Sequence, residues 1–160
     1  MLGAIMYASK IVLEFLPNIH LLGVFTIALT LVYRQKALYP IYGFVLITGL
    51  LNGFPLWWIP YLYLWGLLWG AAMLLPKEIP AKLRPIVYML LNALFGFLYG
   101  ALYAPVQAIL FGLDFEGMCA WILAGLPWDA VHGVGNLFSG ILIVPLSGLI
   151  RRIERLPQRF

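Results

Sequence analysis

The basic residues of this chain lie in three clusters, and long apolar stretches separate them. Apart from Lys10, they are Arg34 and Lys36; Lys77, Lys82 and Arg84; and Arg151, Arg152, Arg155 and Arg159. Each stretch that ends at a cluster is long enough to cross a bilayer twice, at about 20 residues per span. Because Lys and Arg accumulate on the cytoplasmic side of membrane proteins, the clusters predict three helix pairs that begin and end on that side.

Turn-forming residues divide each stretch near its middle, at residues 17–18, 52–55 and 112–117. The prediction is therefore an all-α, polytopic membrane protein with six spans and both termini in the cytoplasm. Its 160 residues leave no room for a separate soluble domain, so residues 1–160 form one membrane domain. The predicted helices occupy residues 2–16, 21–34, 37–52, 57–75, 84–103 and 127–150.

Two segments need a separate interpretation. Residues 115–126 are too few to cross a bilayer, so they are predicted to form a short outer-side or partly re-entrant helix before the sixth span. The N-terminal apolar run lacks a basic start and continues into Lys10, Glu14 and Pro17. It is therefore interpreted as the first helix rather than as a signal peptide.

Composition excludes several other classes of protein. The chain is 64% hydrophobic and 10% charged, and its net charge of +4 is not gathered on a solvated domain of the kind that binds nucleic acid. The single cysteine, Cys119, excludes an internal disulfide and a cysteine-based zinc site. The chain has no phosphate-binding loop, no H-E-x-x-H metal helix and no G-x-S-x-G nucleophile turn. Active transport would therefore need a partner that hydrolyses ATP.

The segment LPWDAVHGVGN, residues 126–136, places three polar side chains in the last predicted span. Asp129, His132 and Asn136 are spaced i, i+3 and i+7, so they share one helix face. An Asp at a bilayer centre costs roughly 2.5–3.5 kcal/mol, and such residues are often functional. Asp129 has an alternative role as a helix cap, with Pro127 at the helix start. For His132 and Asn136, ligand contact and interhelical hydrogen bonding both stay open.

Further polar and aromatic residues are predicted to face the outer half of the bundle. Together they suit a flat, partly apolar small molecule, although Trp and Tyr also form belts at membrane interfaces. Lys10 and Glu14 are four residues apart, so mutual neutralisation is an alternative to ligand contact for Glu14. The candidate substrate-binding residues are Glu14, Asn18, His20, Asn52, Trp57, Trp58, Tyr61, Tyr103, Gln107, Trp128, Asp129, His132 and Asn136.

Four segments carry a resemblance to a known family: SKIVLEFLPNIHLLG (9–23), NGFPLWWIPYLYLWGLLWG (52–70), YAPVQAILFGL (103–113) and GLPWDAVHGVGNLFSGILIVPL (125–146). The chain resembles the substrate-binding S components of energy-coupling factor (ECF) transporters. The most specific element is the G-[LIF]-P-[FW]-D-x-x-H-x-x-x-N signature, which begins at Gly125 and ends at Asn136. Ala4 and Ala8 match the family's looser A-x-x-x-A motif.

The resemblance implies capture of a vitamin or related micronutrient from the extracellular side of a bacterial cytoplasmic membrane. It also implies a transmembrane coupling subunit and two cytosolic ATPases as partners, no enzymatic activity and no cofactor. Ala4 and Ala8 would then contact the coupling subunit, whereas the residues alone favour packing within the bundle. Metal-transporting members begin Met-His, but this chain begins Met-Leu-Gly-Ala, so an organic solute is expected.

Two other classes of protein stay open. One is an intramembrane enzyme that uses Glu14, His20, Asp129 and His132 as acid–base or metal-binding groups. The other is a structural membrane protein without a small ligand.

Overall fold

The computed structural model describes residues 1–16, 19–76 and 78–154, and these ranges contain helices and no strand. Short 3-10 turns at Arg34–Ala37, Leu56–Trp58 and Gly140–Leu142 link some of the α-helices. The helices are α1 (Leu2–Val12), α2 (Leu22–Tyr33), α3 (Leu38–Asn52), α4 (Tyr61–Leu74), α5 (Arg84–Phe97), α6 (Tyr99–Phe111), α7 (Phe115–Ser139) and α8 (Ile143–Ile153).

The first four predicted helices lie close to α1–α4, although α1 ends at Val12 rather than at residue 16. Glycine ends two of the helices in the manner expected for a left-handed C-terminal residue. Gly53 follows α3 with φ 76°, and Gly112 follows α6 with φ 65°. Residues with a side chain rarely adopt these backbone angles. Glycine at both positions therefore allows the turns that the sequence predicts at residues 52–55 and 112–117.

The predicted fifth helix, 84–103, is two helices in the structure. Leu98 separates α5 from α6, and together they form one helical stretch of 28 residues. Pro105 lies inside α6 and removes one further backbone hydrogen bond.

The prediction of a separate short helix at residues 115–126 is wrong. Helix α7 runs for 25 residues and contains Pro127 in its interior, so Pro127 does not begin a helix. Asp114 is the N-cap, and its Oδ1 accepts a hydrogen bond of 2.8 Å from the Gly117 amide. A proline removes a single helical hydrogen bond, and α7 continues because its far half packs closely against α5.

The core lies where the helices pack pairwise: α7 on α5, α1 on α3, and α2 against α4 and α8. Trp65, Phe44, Met6 and Leu22 are completely buried there. Burial of apolar surface of this kind is the main force that holds helices together in water, whereas in lipid close packing takes over that role.

Two helical stretches of the described chain are long and apolar enough to cross a membrane, by length and composition. They are Arg84–Phe111, of 28 residues, and Phe115–Ile153, of 39 residues. Within the apolar window of each stretch only 33% of the residues are buried. Leu90, Val131 and Phe138 are among the large apolar side chains on their outer surfaces. The six-span topology and the side of the termini stay predictions.

Candidate functional site

The polar face of α7 is buried. Asp129, His132 and Asn136 are each at most 7% exposed, together with the neighbouring Gly133. The prediction that the three polar side chains share one helix face is therefore confirmed. Their hydrogen-bond partners, however, give the three residues different roles.

Asp129 joins α7 to the start of α6. Its Oδ1 and Oδ2 accept hydrogen bonds of 3.0 and 3.2 Å from the Gly100 amide. Gly100 lies in the first turn of α6, and the carboxylate accepts from its amide. A Cβ at position 100 would clash with this carboxylate, so glycine is required for the contact. Asp129 therefore caps α6 rather than its own helix, which corrects the interpretation based on Pro127.

Asn136 takes part in a reciprocal pair with Asn92 of α5. The Asn136 amide nitrogen donates to the Asn92 carbonyl at 3.1 Å, and the Asn92 amide nitrogen donates to the Asn136 carbonyl at 2.8 Å. Both side chains are almost completely buried. Of the two open alternatives for Asn136, the structure shows interhelical hydrogen bonding.

His132 differs from both neighbours, because its Nε2 is buried and has no hydrogen-bond partner within the described ranges. Its imidazole instead packs edge-on against two rings. The ring centroids lie 4.8 Å from His20 and 4.9 Å from Tyr99. An unpaired polar atom in the interior costs free energy, so a hydrogen-bonding ligand at this atom would be stabilising.

Five aromatic rings close into a circuit around this position, which we call the ring circuit: His20, Trp65, Phe95, Tyr99 and His132. Successive centroids lie 6.1 Å apart for His20 and Trp65, 5.8 Å for Trp65 and Phe95, and 5.9 Å for Phe95 and Tyr99. The members come from the α1–α2 connection and from α4, α5, α6 and α7, so five separate elements meet here. Besides His132 Nε2, His20 Nδ1 and Trp65 Nε1 are buried without a partner in the described part of the chain.

Four other aromatic residues extend the ring circuit. Tyr61 packs against Trp65 at 5.5 Å and against Trp57 at 5.7 Å. Tyr103 lies 6.2 Å from Tyr99 and stacks on Trp121 at 5.9 Å with an interplanar angle of 18°. The structure therefore brings the predicted residues Tyr61, Trp57 and Tyr103 to one region with His20 and His132.

Several predicted residues have other roles or lie elsewhere. Trp58 Nε1 donates to the Val45 carbonyl at 2.7 Å and ties the α3–α4 connection to α3. The exposed Asn52 donates to the Thr48 carbonyl of its own helix at 2.8 Å. Glu14 is 67% exposed and lies 3.8 Å from Lys10 Nζ, which shows the predicted ion pair. Trp128 is 58% exposed, Gln107 is half-buried on α6, and Asn18 lies outside the described residues.

Sequence reasoning missed Trp65, Phe95, Tyr99 and Asn92. Helical spacing contained a signal for two of them, since Trp65 is four residues after Tyr61 and Tyr99 is four residues before Tyr103. Nothing in the local pattern distinguishes Phe95 or Asn92 from the other residues of an apolar helix.

The two alanines of α1 lie on its exposed face. Gly3 and Met6 are buried instead, and a Cβ at Gly3 would lie 2.8 Å from the Phe44 nitrogen and the Pro40 carbonyl oxygen of α3. Ala4 and Ala8 are exposed. Glycine at position 3, rather than the alanine pair, permits the close approach of α1 to α3.

An enzyme that binds a metal ion would need several metal-ligating side chains close together. Among the described residues, no group of three or more His, Cys, Asp or Glu side chains is placed to hold a metal ion. The two imidazoles of the ring circuit therefore have no third residue of these types beside them in the described part of the chain.

The imidazole of His20 provides a pH-dependent test of this packing. Burial, and then the nearby His132, lower the pKa of His20 from 6.5 to about 3. Below about pH 6.5 the unfolded chain binds a proton at His20 that the folded chain does not bind until about pH 3, so stability falls as the pH decreases through this window. We therefore expect the melting temperature to fall between pH 7.5 and pH 5. His20 contributes at most about 1.4 kcal/mol to the change in the free energy of unfolding per pH unit.

His20→Phe is the matched control, because it retains a flat ring and cannot titrate. Its melting temperature in detergent is expected to depend less on pH than that of the unmodified protein. The same slope in both proteins would show that the His20 imidazole is not buried in the neutral form.

Comparison with protein families, with curated proteins and with solved structures found no match to this chain. The described part of the chain is all-helical, and two of its helical stretches are long and apolar enough to cross a membrane. The resemblance to ECF S components thus depends on the four sequence segments.

Proposed function

We propose that this chain is the membrane-embedded substrate-capture subunit of an ECF-type transporter and binds a vitamin-like organic micronutrient from the extracellular side. The observation that carries the proposal is the ring circuit, whose three buried ring nitrogens have no hydrogen-bond partner among the residues that the structure describes. Most buried polar groups in proteins have hydrogen-bond partners, and exceptions call for an explanation. A solute with hydrogen-bonding groups supplies such partners.

The position of the ring circuit supports capture rather than a purely structural role. His20 comes from the connection between α1 and α2, whereas the other four rings come from helices. Five separate elements thus contribute to the site, and ligand sites in helical proteins typically lie between the helices of a bundle.

The proposal includes six membrane spans with both termini in the cytoplasm. It is supported by the distribution of Lys and Arg and by the large apolar side chains on the outer surface of the bundle. Leu46, Leu67, Leu94 and Leu149 lie on four different helices and are each at least 47% exposed. A soluble protein rarely exposes apolar surface on this scale.

The proposed partners are a transmembrane coupling subunit and two cytosolic ATPases. The chain has no phosphate-binding loop, so the energy for uptake comes from these subunits. The exposed face of α1 is the proposed contact for the coupling subunit. Ala4 and Ala8 lie there beside the exposed apolar side chain of Ile11, and small residues allow a second helix to approach closely.

Ala8→Trp is expected to prevent this contact. An indole in place of a methyl group would hold the two helices apart. A loss of about 1.4 kcal/mol at the interface corresponds to a tenfold change. Uptake in cells that also produce the coupling module should therefore fall about tenfold. The measurement is co-purification of the tagged chain with the coupling subunit and ATPases, together with substrate uptake.

Leu90→Trp is the matched control, because Leu90 is 57% exposed on α5 and lies outside the α1 face. It should retain both association and uptake. Normal association of the Ala8→Trp protein would contradict the proposed docking face. Failure of the unmodified chain to associate with any coupling module would contradict the transporter assignment itself.

A further inference from the structure

A cavity of about 480 Å³ opens beside the first turn of α1. Its wall is formed by α1, by α3, by Tyr33 at the end of α2 and by Glu154 directly after α8. Sites for small molecules commonly have volumes of about 300–1,000 Å³. The cavity is therefore large enough to hold a small molecule or part of a lipid.

One face of α3 gives the cavity its direction. Lys36 lies in the 3-10 turn before α3, and Pro40, Gly43 and Ile47 follow at intervals of three or four residues. Residues at this spacing lie on one helix face, and a helix rises about 1.5 Å per residue, so Pro40 and Ile47 are roughly 10 Å apart along the axis. The cavity is thus a groove along α3 with a charged residue at one end and an apolar residue at the other.

The charged end of the groove contains one cation and one carboxylate. Lys36 and Glu154 both line it, and both are exposed. No ion pair joins them in the part of the chain that the structure describes, and the Glu154 carboxylate lies beside the Tyr33 hydroxyl. A purely anionic ligand would be repelled by Glu154 and a purely cationic one by Lys36. A ligand with both charges is complementary to the pair.

The direction of the groove matches that of a lipid in the proposed topology. Lys36 and Glu154 then lie at the cytoplasmic surface, and Ile47 lies deeper, among the acyl chains. Tyr33 and Tyr39 also line the charged end, and Tyr is enriched where headgroups lie. A phospholipid has the same order of charged and apolar parts along its length.

We propose that this groove binds a phospholipid whose headgroup carries a phosphate and a primary ammonium, as in phosphatidylethanolamine. Lys36 contacts the phosphate, Glu154 accepts from the ammonium, and an acyl chain lies along Gly43 and Ile47. A primary ammonium offers three N–H donors to a carboxylate. The trimethylated ammonium of phosphatidylcholine offers none, and phosphatidylglycerol has no cation. The inference rests on the membrane placement in the proposed function but not on solute capture.

The test measures lipid binding to the full-length protein by native mass spectrometry in mild detergent. Phosphatidylethanolamine, phosphatidylcholine and phosphatidylglycerol with identical acyl chains are added separately. Glu154→Gln removes the carboxylate, and Glu78→Gln is its matched control, because Glu78 is also exposed but does not line the groove. Gly43→Leu fills the groove, and Gly70→Leu is its control, because no atom lies within 4 Å of a Cβ at either glycine.

The unmodified protein is expected to bind phosphatidylethanolamine about fivefold more tightly than the other two lipids, which corresponds to about 1 kcal/mol, as for a favourable exposed ion pair. Glu154→Gln should lose this preference, and Glu78→Gln should retain it. Gly43→Leu should weaken the binding of phosphatidylethanolamine, whereas Gly70→Leu should not.

The results that would overturn the inference have different meanings. Equal binding of phosphatidylethanolamine and phosphatidylcholine by the unmodified protein would refute the role of the primary ammonium. Tightest binding of phosphatidylglycerol would show a general attraction of anionic lipid to basic residues instead. An unchanged preference in Glu154→Gln would place the lipid elsewhere. Each of these results leaves solute capture untouched, whereas a protein that stays folded and dissolved without detergent would refute the membrane placement that both proposals share.

Discussion

Replacing His132 with alanine is expected to weaken solute capture about a hundredfold. The change removes Nε2, which is buried without a hydrogen-bond partner in the described part of the chain, and also the edge-on ring contacts to His20 and Tyr99. Loss of the hydrogen bond that the solute would make with this buried atom costs about 1–3 kcal/mol of binding free energy, and a tenfold change in affinity corresponds to about 1.4 kcal/mol. The measurement is the dissociation constant of the captured compound in detergent, by calorimetry.

Two comparisons separate this effect from loss of the fold. His132→Gln retains a polar side chain and should recover part of the affinity. Asn136→Ala should act differently, because it breaks the pair with Asn92 and leaves a buried group without its partner. Its main effect is a loss of stability of about 1–3 kcal/mol. A stable Asn136→Ala protein with weak capture, beside a His132→Ala protein with normal capture, would reverse the roles assigned to these residues.

Replacing Gly96 with alanine is expected to destabilise the whole bundle. A Cβ at this position would lie 2.8 Å from the Gly133 Cα, 2.9 Å from the Gly133 nitrogen and 2.9 Å from Asn136 Nδ2. Two of these atoms belong to the backbone and cannot rotate away, so α5 and α7 must move apart. Overpacking of this kind costs about 1–3 kcal/mol, and the Asn92–Asn136 bonds would lengthen as well.

Gly70→Ala provides the control, because no atom lies within 4 Å of a Cβ at Gly70 in α4. Alanine is a better helix former than glycine, so this variant should gain about 0.5–1 kcal/mol. The two alanine substitutions are therefore expected to shift the melting temperature in detergent in opposite directions. A Gly96→Ala protein at least as stable as the unmodified protein would show that α5 and α7 do not approach each other as closely as described.

Part of the candidate site is predictable from local spacing. The positions of Asp129, His132 and Asn136 place them on one face of any regular helix, and the structure confirms that face as buried. The glycines at 53 and 112 likewise mark helix ends, because few other residues adopt their backbone angles. Both predictions use only the geometry of a single helix.

Other predictions failed because they needed information from a neighbouring element. Pro127 indicated a helix start, but the packing of α7 on α5 continues the helix through it. The break at Leu98 is not marked by glycine or proline at that position, and the Gly100 amide beside it donates to the Asp129 carboxylate of another helix. Local sequence does not contain such a partner.

The apolar stretches, the spacing of the charges and the polar face of α7 are properties of the sequence alone, since burial preferences and helix geometry follow from residue type and order. The tertiary structure decided which members of that face acquire hydrogen-bond partners. Asp129 and Asn136 acquire hydrogen-bond partners from α6 and α5, whereas His132 packs against the rings of His20 and Tyr99 and its Nε2 has no partner among the described residues. Hydrogen bonds between residues 29 and 44 positions apart depend on how the helices pack, and that packing is a property of the whole bundle.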